Sequence, residues 1–396
     1  MQQKFDVAII GGGPIGGNIA EKIAKEKYKT AIFEQKKQIG KPLKCAGLVT
    51  KRVFDFVNIS EKDVIQNKIK GANIHSPSDN ILTIGGEKTQ AYVIDRILFD
   101  NEIINSAKKA GAELFLQSKI ISAQKQNKEI SLVNSNNKSF KCKLLIGADG
   151  PHSTVRDLFG FAKPSEYLVG MGAEIIHTNL NPDFVEIFVG NNVAPGFFAW
   201  IIPTNKDGSN ARIGLCVKQN ASHPAKYYFS KFLENNNCLK FLDNTKVKSY
   251  IGGVVPLGFL KKTYASNVML VGDAAAQVKP TSGGGIYPGL LCSKYCSEVA
   301  IDCLKDKNFS ENNIKRYNKN WASDIGMELK MGMKFRNIFK NLSDKQMDKY
   351  ILKFSDPKIR DIITEYGDID HPTKLVKPLL KKSPSLLKFV PSLFKN

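Results

Sequence analysis

The sequence predicts a mixed α/β protein, α+β overall, with a doubly wound Rossmann-like domain, an antiparallel-sheet domain and a helical C-terminal region. Three observations carry that prediction. A glycine-rich segment at 11–16 follows an apolar run and precedes a helical pattern, and a second apolar run, 267–271, is followed by Gly272-Asp273 and then by the glycines 283–285 that open another helix. Between about 165 and 260, apolar and polar residues alternate with β-branched and aromatic side chains, the signature of half-buried strands. After residue 285 the helical period returns and persists to the end.

The first element is the run Phe5-Asp6-Val7-Ala8-Ile9-Ile10, followed by a glycine turn and a helix over 18–27 with Ile19, Ala20, Ile23 and Ala24 on one face. Thr30-Ala31-Ile32-Phe33-Glu34 then makes a second strand that ends in an acid, which closes a βαβ unit. A helix over 98–110 and a buried strand over 143–147 belong to the same sheet. Strands are expected at 172–177, 184–189, 197–202, 212–217 and 246–255, with 72–94 adding further strands to that antiparallel sheet. The resulting division assigns 1–70, 96–163 and 263–306 to a discontinuous nucleotide-binding domain. Residues 71–95 and 164–262 form the substrate domain, and 307–396 a lysine-rich helical region.

A chain of 396 residues, 42% hydrophobic and 24% charged, can bury a large core, which argues against disorder. No apolar run reaches the ~18 residues that span a bilayer, and no signal-like segment precedes the first strand, so a cytoplasmic protein is expected. The net charge of +21 is nearly all lysine, scattered beside Asn and Ile. That scatter reads as biased composition and not as a groove for nucleic acid; an anionic membrane surface would profit from the same charge. Seven cysteines without a CxxC pair speak against a disulfide framework or any metal site, and Cys292, Cys296 and Cys303 recur at helical spacing as small apolar side chains.

In Gly11-x-Gly13-x-x-Gly16 the first glycine makes a tight turn, the second admits a pyrophosphate and the third lets helix approach strand. Glu34, at the end of the next strand, can accept both hydroxyls of an adenosine ribose. The distant segment Val271-Gly272-Asp273-Ala274-Ala275 places a carboxylate where a ribityl chain could bond it, or where it could cap a helix. Gly283, Gly284, Gly285 and Ile286 open a helix whose N–H groups can face phosphate or the anionic edge of a flavin. Together the two segments narrow the cofactor to FAD. A third segment, Gly147-Ala148-Asp149-Gly150-Pro151-His152, with Arg96, completes the set.

These segments resemble the flavoprotein superfamily of para-hydroxybenzoate hydroxylase over residues 4–300. Lys41-Pro42-Leu43-Lys44-Cys45-Ala46-Gly47-Leu48 and Pro195-Gly196-Phe197-Phe198-Ala199-Trp200-Ile201-Ile202-Pro203 resemble the geranylgeranyl reductase family of FAD-dependent oxidoreductases, nearest to its archaeal lipid-reducing branch. The resemblance implies reduction of double bonds in geranylgeranyl chains of archaeal membrane lipids by hydride from reduced flavin. It also implies residue roles: Ile15 and Gly16 at the pyrophosphate, Glu34 at the ribose, Cys45, Ala46 and Gly47 beside the isoalloxazine. Arg96 and Ile120 would frame FAD, although Arg96 could equally be a salt-bridge partner and Ile120 a core residue. Asp273 would hold the ribityl and phosphate region, with Gly285 and Ile286 at the flavin ring.

The reductases commonly carry Tyr-x-Trp-x-Phe-Pro, whereas this chain has Phe198-x-Trp200-x-Ile202-Pro203, closer to the Trp-x-Trp-x-Ile-Pro of flavin-dependent halogenases. Phe198, Trp200 and Pro203 are candidates for the substrate wall, since aromatic rings offer apolar area at low entropic cost; core packing is the alternative. A flavin monooxygenase or halogenase, and a non-enzymatic prenyl-lipid carrier, are the competing readings. Cys45 is the candidate catalytic residue, either a proton donor or a group that positions the flavin face, and the second role is preferred here. The electron donor would be NAD(P)H or a reduced protein such as ferredoxin. The tail 371–396, with lysines among leucines and phenylalanines, would either lie on an anionic membrane at the inner face or pack as terminal helices.

Overall fold

The structure, a computed structural model, describes residues 3–242 and 244–382, apart from the side chains of 236 and 237. The strand Gln3–Ile10 lies at the centre of an eight-stranded sheet, parallel to Thr30–Phe33 on one side and to Ser139–Gly147 on the other. Glu113–Phe115 and Val268–Leu270 extend the parallel order outward on the two flanks. Such a strand is covered on both faces, so Val7, Ala8 and Ile9 are fully buried and no alternation survives in that run.

One face of the sheet carries Pro14–Lys25, Arg96–Lys109 and Ile286–Lys305, with Ile9, Ile19, Ile103 and Leu290 in one core. The opposite face is closed by the hairpin Ile120–Gln126 and Glu129–Asn134 over Phe5, Phe33 and Phe140. Cys292, Cys296 and Cys303 are fully buried along Ile286–Lys305, and the seven cysteines are free thiols.

A seven-stranded sheet runs in the order Lys246–Leu257, Glu166–Ile176, Asn210–Lys218, Phe198–Pro203, Phe184–Val189, Gly71–His75, Ile81–Gly85. Its pairs are antiparallel except one: Gly71–His75 runs parallel to Phe184–Val189. The chain through Ile65–Ile69 and Gly71–His75 is continuous but for Lys70, so the first strand imposes its direction on the second. The segment 72–94 therefore divides. Ala91–Ile94 pairs instead with Ile65–Ile69 and Leu48–Val49 in a three-stranded sheet, drawn there by burial of Ala91 and Val93 against Val185 and Ile202.

The C-terminal helices Glu311–Asp324, Gly326–Phe339, Asp344–Phe354 and Pro357–Tyr366 wrap from the parallel sheet to the edge strand Ile81–Gly85. Trp321 and Tyr317, both fully buried, anchor the first of them. No helix among the described residues is long and apolar enough to cross a membrane.

Candidate active site

The two glycine segments meet. A Cβ on Gly289 would stand 2.7 Å from Cδ1 of Ile15 and one on Gly272 would stand 3.3 Å from its Cγ1, so the first turn packs directly on the second. Between them opens a cavity of about 570 Å³ lined by Gly13, Ile15, Glu34, Arg96, Asp273 and Ile286, among others. Gly11 has φ +110, and a Cβ there would lie 2.2 Å from the Ala148 carbonyl oxygen, which only glycine avoids. Around Gly13 there is open space within 4 Å, on the cavity side, at the N-terminus of Pro14–Lys25.

Glu34 is nearly buried, and its two oxygens accept the N–H groups of Gly12 and Lys36, each at 2.8 Å. One lone pair per oxygen remains for a ligand hydroxyl. Arg96 opens its helix behind the N-cap Asp95 and grips Asp100 side-on, Nε and Nη2 each 3.0 Å from a carboxylate oxygen. Its guanidinium also lies against Cys45, so one side chain is both an ion-pair partner and part of the cavity wall. The Ile120 side chain takes the core position that was the alternative for it. It is buried at 1% among Phe5, Phe33 and Phe140, because the hairpin turns it to the core, and only its backbone stays near Ser118, whose N–H donates to the Glu34 carbonyl.

Asp273 is not a helix cap: it lies inside the short turn Gly272–Ala275, whose N-cap position, Val271, has no side-chain capping bond, and among the described residues no donor reaches the Asp273 carboxylate. Burial raises it to about 6, with Arg96 pulling it back down. An ionisable group left bare in a cavity wall fits a ligand that brings its own hydroxyls. The turn is propped from behind by residues that no sequence motif marks. Gln277 accepts the Gly272 N–H and donates to Tyr317, whose hydroxyl donates to the Leu270 carbonyl. Asp149 accepts the Ser153 hydroxyl and the Val155 N–H at the start of the short helix Thr154–Leu158, which Ser153 caps, and Gly150, Pro151 and His152 form that part of the cavity wall.

Cys45 stands at a junction. It lines both the cavity above and a second, mainly apolar one of about 300 Å³, which also takes in Ala46, Gly47, Phe198 and Trp200. Lys44, Gly170, Val254 and Gly283 are shared between the two in the same way. Ile187, Phe197 and Phe198 pass on into a third, apolar cavity of about 530 Å³ under Gly326–Phe339 and Asp344–Phe354. Pro203 borders none of these. It ends its strand with its carbonyl held by Asn67, 3.1 Å away, since alternation from Trp200 turns it to the far side. Gly285 and Ile286 face the first cavity, where a Cβ on Gly285 would meet Oδ1 of Asp273 at 2.7 Å. Lys279 and Ile369 also border the apolar cavity and were not expected there. Among the described residues no cluster could hold a metal.

Residues 4–290 match the family described as FAD binding domain. A digeranylgeranylglycerophospholipid reductase of Methanocaldococcus jannaschii is 31% identical over 97% of both chains, and an uncharacterised protein of the same organism is 34% identical over 95% of both. Among solved structures, a geranylgeranyl bacteriochlorophyll reductase-like protein from Thermoplasma acidophilum superposes over the whole of both chains with a TM-score of 0.87 at 24% identity. The flavin-dependent brominase Bmp2 has a TM-score of 0.72 at 14% identity, covering 97% of this chain and all of its own, which shows a common fold alone. The free carboxylate of Asp273, the half-satisfied Glu34 and the open space at Gly13 fit FAD, and FAD is the cofactor of this fold.

Proposed function

We propose that this chain, which belongs to the digeranylgeranylglycerophospholipid reductase family and to the FAD-binding-domain flavoproteins, saturates the double bonds of geranylgeranyl chains on a glycerophospholipid. One observation carries the substrate reading: the cavity that shares Cys45 with the flavin side is walled by Trp200, Phe198, Met171 and Ile187 and continues into a second apolar chamber. A polar aromatic substrate would find few hydrogen-bond partners there; a long hydrocarbon finds apolar surface along its length.

Reduced FAD supplies the hydride. The protein supplies position and dryness, because an isolated alkene is unpolarised and gains from being held near the attacking geometry. Gly47 donates its N–H to Cys45 Sγ at 3.3 Å while Arg96 lies on the other side, which supports a thiol that fixes the wall between cofactor and chain. Glu34 would hold the ribose, Asp273 the ribityl hydroxyls, and the N-terminus of Ile286–Lys305 the electron-rich edge of the ring.

The lipid substrate makes an anionic membrane surface a natural source, and the lysine-rich C-terminus suits it. Its last part, from 383 onward with Lys388 and Lys395, lies outside the described residues. His371 bonds Tyr287 and Thr373 bonds Glu328, so a truncation that tests membrane binding belongs after Lys382. NAD(P)H or a reduced protein would recharge the flavin. The test is anaerobic turnover of digeranylgeranylglyceryl phosphate by the dithionite-reduced holoenzyme, read by mass spectrometry. Gain of a hydrogen pair per double bond is expected; no gain anaerobically, with oxygen added to the product in air, would sink the reading.

A further inference from the structure

Arg212 lies in the strand Asn210–Lys218, 2% exposed, and no sequence motif marks it. Its guanidinium reaches four partners from four segments of the chain. Nη1 donates to the carbonyl of Ala46 at 2.9 Å and of Ile94 at 3.0 Å, Nη2 to Oε1 of Gln66 at 2.9 Å, and Nε to Oε1 of Glu174 at 3.3 Å. Among the described residues Glu174 is the single carboxylate paired with this buried charge, and it also accepts the Ser249 hydroxyl.

The Ala46 carbonyl belongs to the run that carries Cys45, which forms no strand between 41 and 47. Such a run has little regular backbone pairing to hold its shape, so its tertiary bonds decide it. Ile94 donates its N–H to the Gly47 carbonyl at 2.8 Å, and the Ile94 carbonyl returns to Arg212. One cation therefore ties both segments at the point where the polar and apolar cavities join. Gly47, at φ +73, clears the way: a Cβ there would stand 2.3 Å from Nη1. A guanidinium suits the task because its fixed fork serves several acceptors at once.

We propose that Arg212 is a positioning residue for the flavin-facing loop, acting through the Ala46 carbonyl to hold Cys45 at the boundary between cofactor and substrate. This rests on the reading that Cys45 faces the bound flavin. The structure supplies the assay, since Cys45 is the one cysteine of the seven that is not buried. Its alkylation by N-ethylmaleimide, followed by peptide mass spectrometry, reports the loop directly.

Hydrogen bonds to a charged donor are worth enough that R212M should speed Cys45 alkylation in the holoenzyme by about tenfold and shift the flavin absorption band. Q66L removes the Nη2 bond but keeps Arg212 on its two carbonyls and beside its counter-charge Glu174, and should alkylate within about twofold of the parent. An unchanged rate in R212M, or equal acceleration in Q66L, would overturn the proposal. Should R212M not fold, R212K decides together with Q66L: an ammonium lacks the fixed fork that serves carbonyls and side chains at once, so acceleration well above that of Q66L supports the proposal and a rate equal to the parent's rejects it. Protection of Cys45 by FAD in the unmutated protein is a separate readout. Its absence would reject the flavin-facing reading, whatever the variants do.

Discussion

The ammonium of Lys279 and the carboxylate of Asp370 lie 2.7 Å apart and nearly out of solvent, joining the loop before Ile286–Lys305 to the last turn before the C-terminal segment. Asp370, whose side chain has no exposure, also accepts Thr50 and Arg52, both of which follow the Cys45 run, and Arg52 grips Asp368 with both Nη atoms. The neighbouring Ile369 borders the apolar cavity. The strap 368–371 thus pins together two loops that line the apolar cavity.

Removing one partner of this group strands the others. D370A is expected to lower stability by about 3 kcal/mol, because it leaves Lys279 buried without its anion. Urea unfolding checks it, and the double variant D370A/K279M should recover part of the loss. Equal loss in the single and double variants would mean that the pair carries no coupling.

Glu34 holds two backbone N–H groups and keeps a lone pair on each oxygen for the cofactor. E34A should weaken FAD binding by roughly ten- to hundredfold, the size expected for charge-assisted hydrogen bonds. Fluorescence titration of FAD into apoprotein measures it. An affinity equal to the parent's would remove Glu34 from the site.

Asp273 sits at about 6 in the protein, raised by burial above the usual carboxylate range. An acid raised in the folded state costs the apoprotein stability as pH climbs from about 4 toward 6, since the unfolded chain then ionises more readily. Hydroxyl donors from FAD would favour the ionised form, so FAD affinity should rise with pH up to about 6 and level off above it. Calorimetric titration between pH 5 and 8 tests this, and D273N should flatten the curve. A flat profile in the unmutated protein would count against Asp273 as a ligand to FAD.

Phe197 and Phe198 stack 4.2 Å apart and border both apolar chambers. F198W should narrow the passage and lower kcat/KM for a geranylgeranyl chain by about tenfold, while sparing a geranyl chain that ends within the inner chamber. Paired kinetics on the two chain lengths decide it; equal effects would place the chain elsewhere.

Much of the flavin side was legible before any coordinates. Gly11, Gly13, Gly16 and Glu34 sit within one βαβ unit, where a turn, a helix start and a strand end are set by neighbours in sequence. That Asp273, Gly285 and Ile286 would line the same cavity was legible for the same reason. For Pro203 and Ile120 the choice between cavity wall and core stayed open, because the facing of one residue depends on the register of its own sheet.

By itself the sequence determined the fold class, the cofactor and the glycine turns that cradle it, since period, turn chemistry and charge at a strand end are local properties. Only the tertiary structure decided where Arg212 and Asp370 act. Their partners Ala46 and Lys279 lie 166 and 91 residues away, and such pairs follow from how two sheets and a strap pack, which no local pattern encodes.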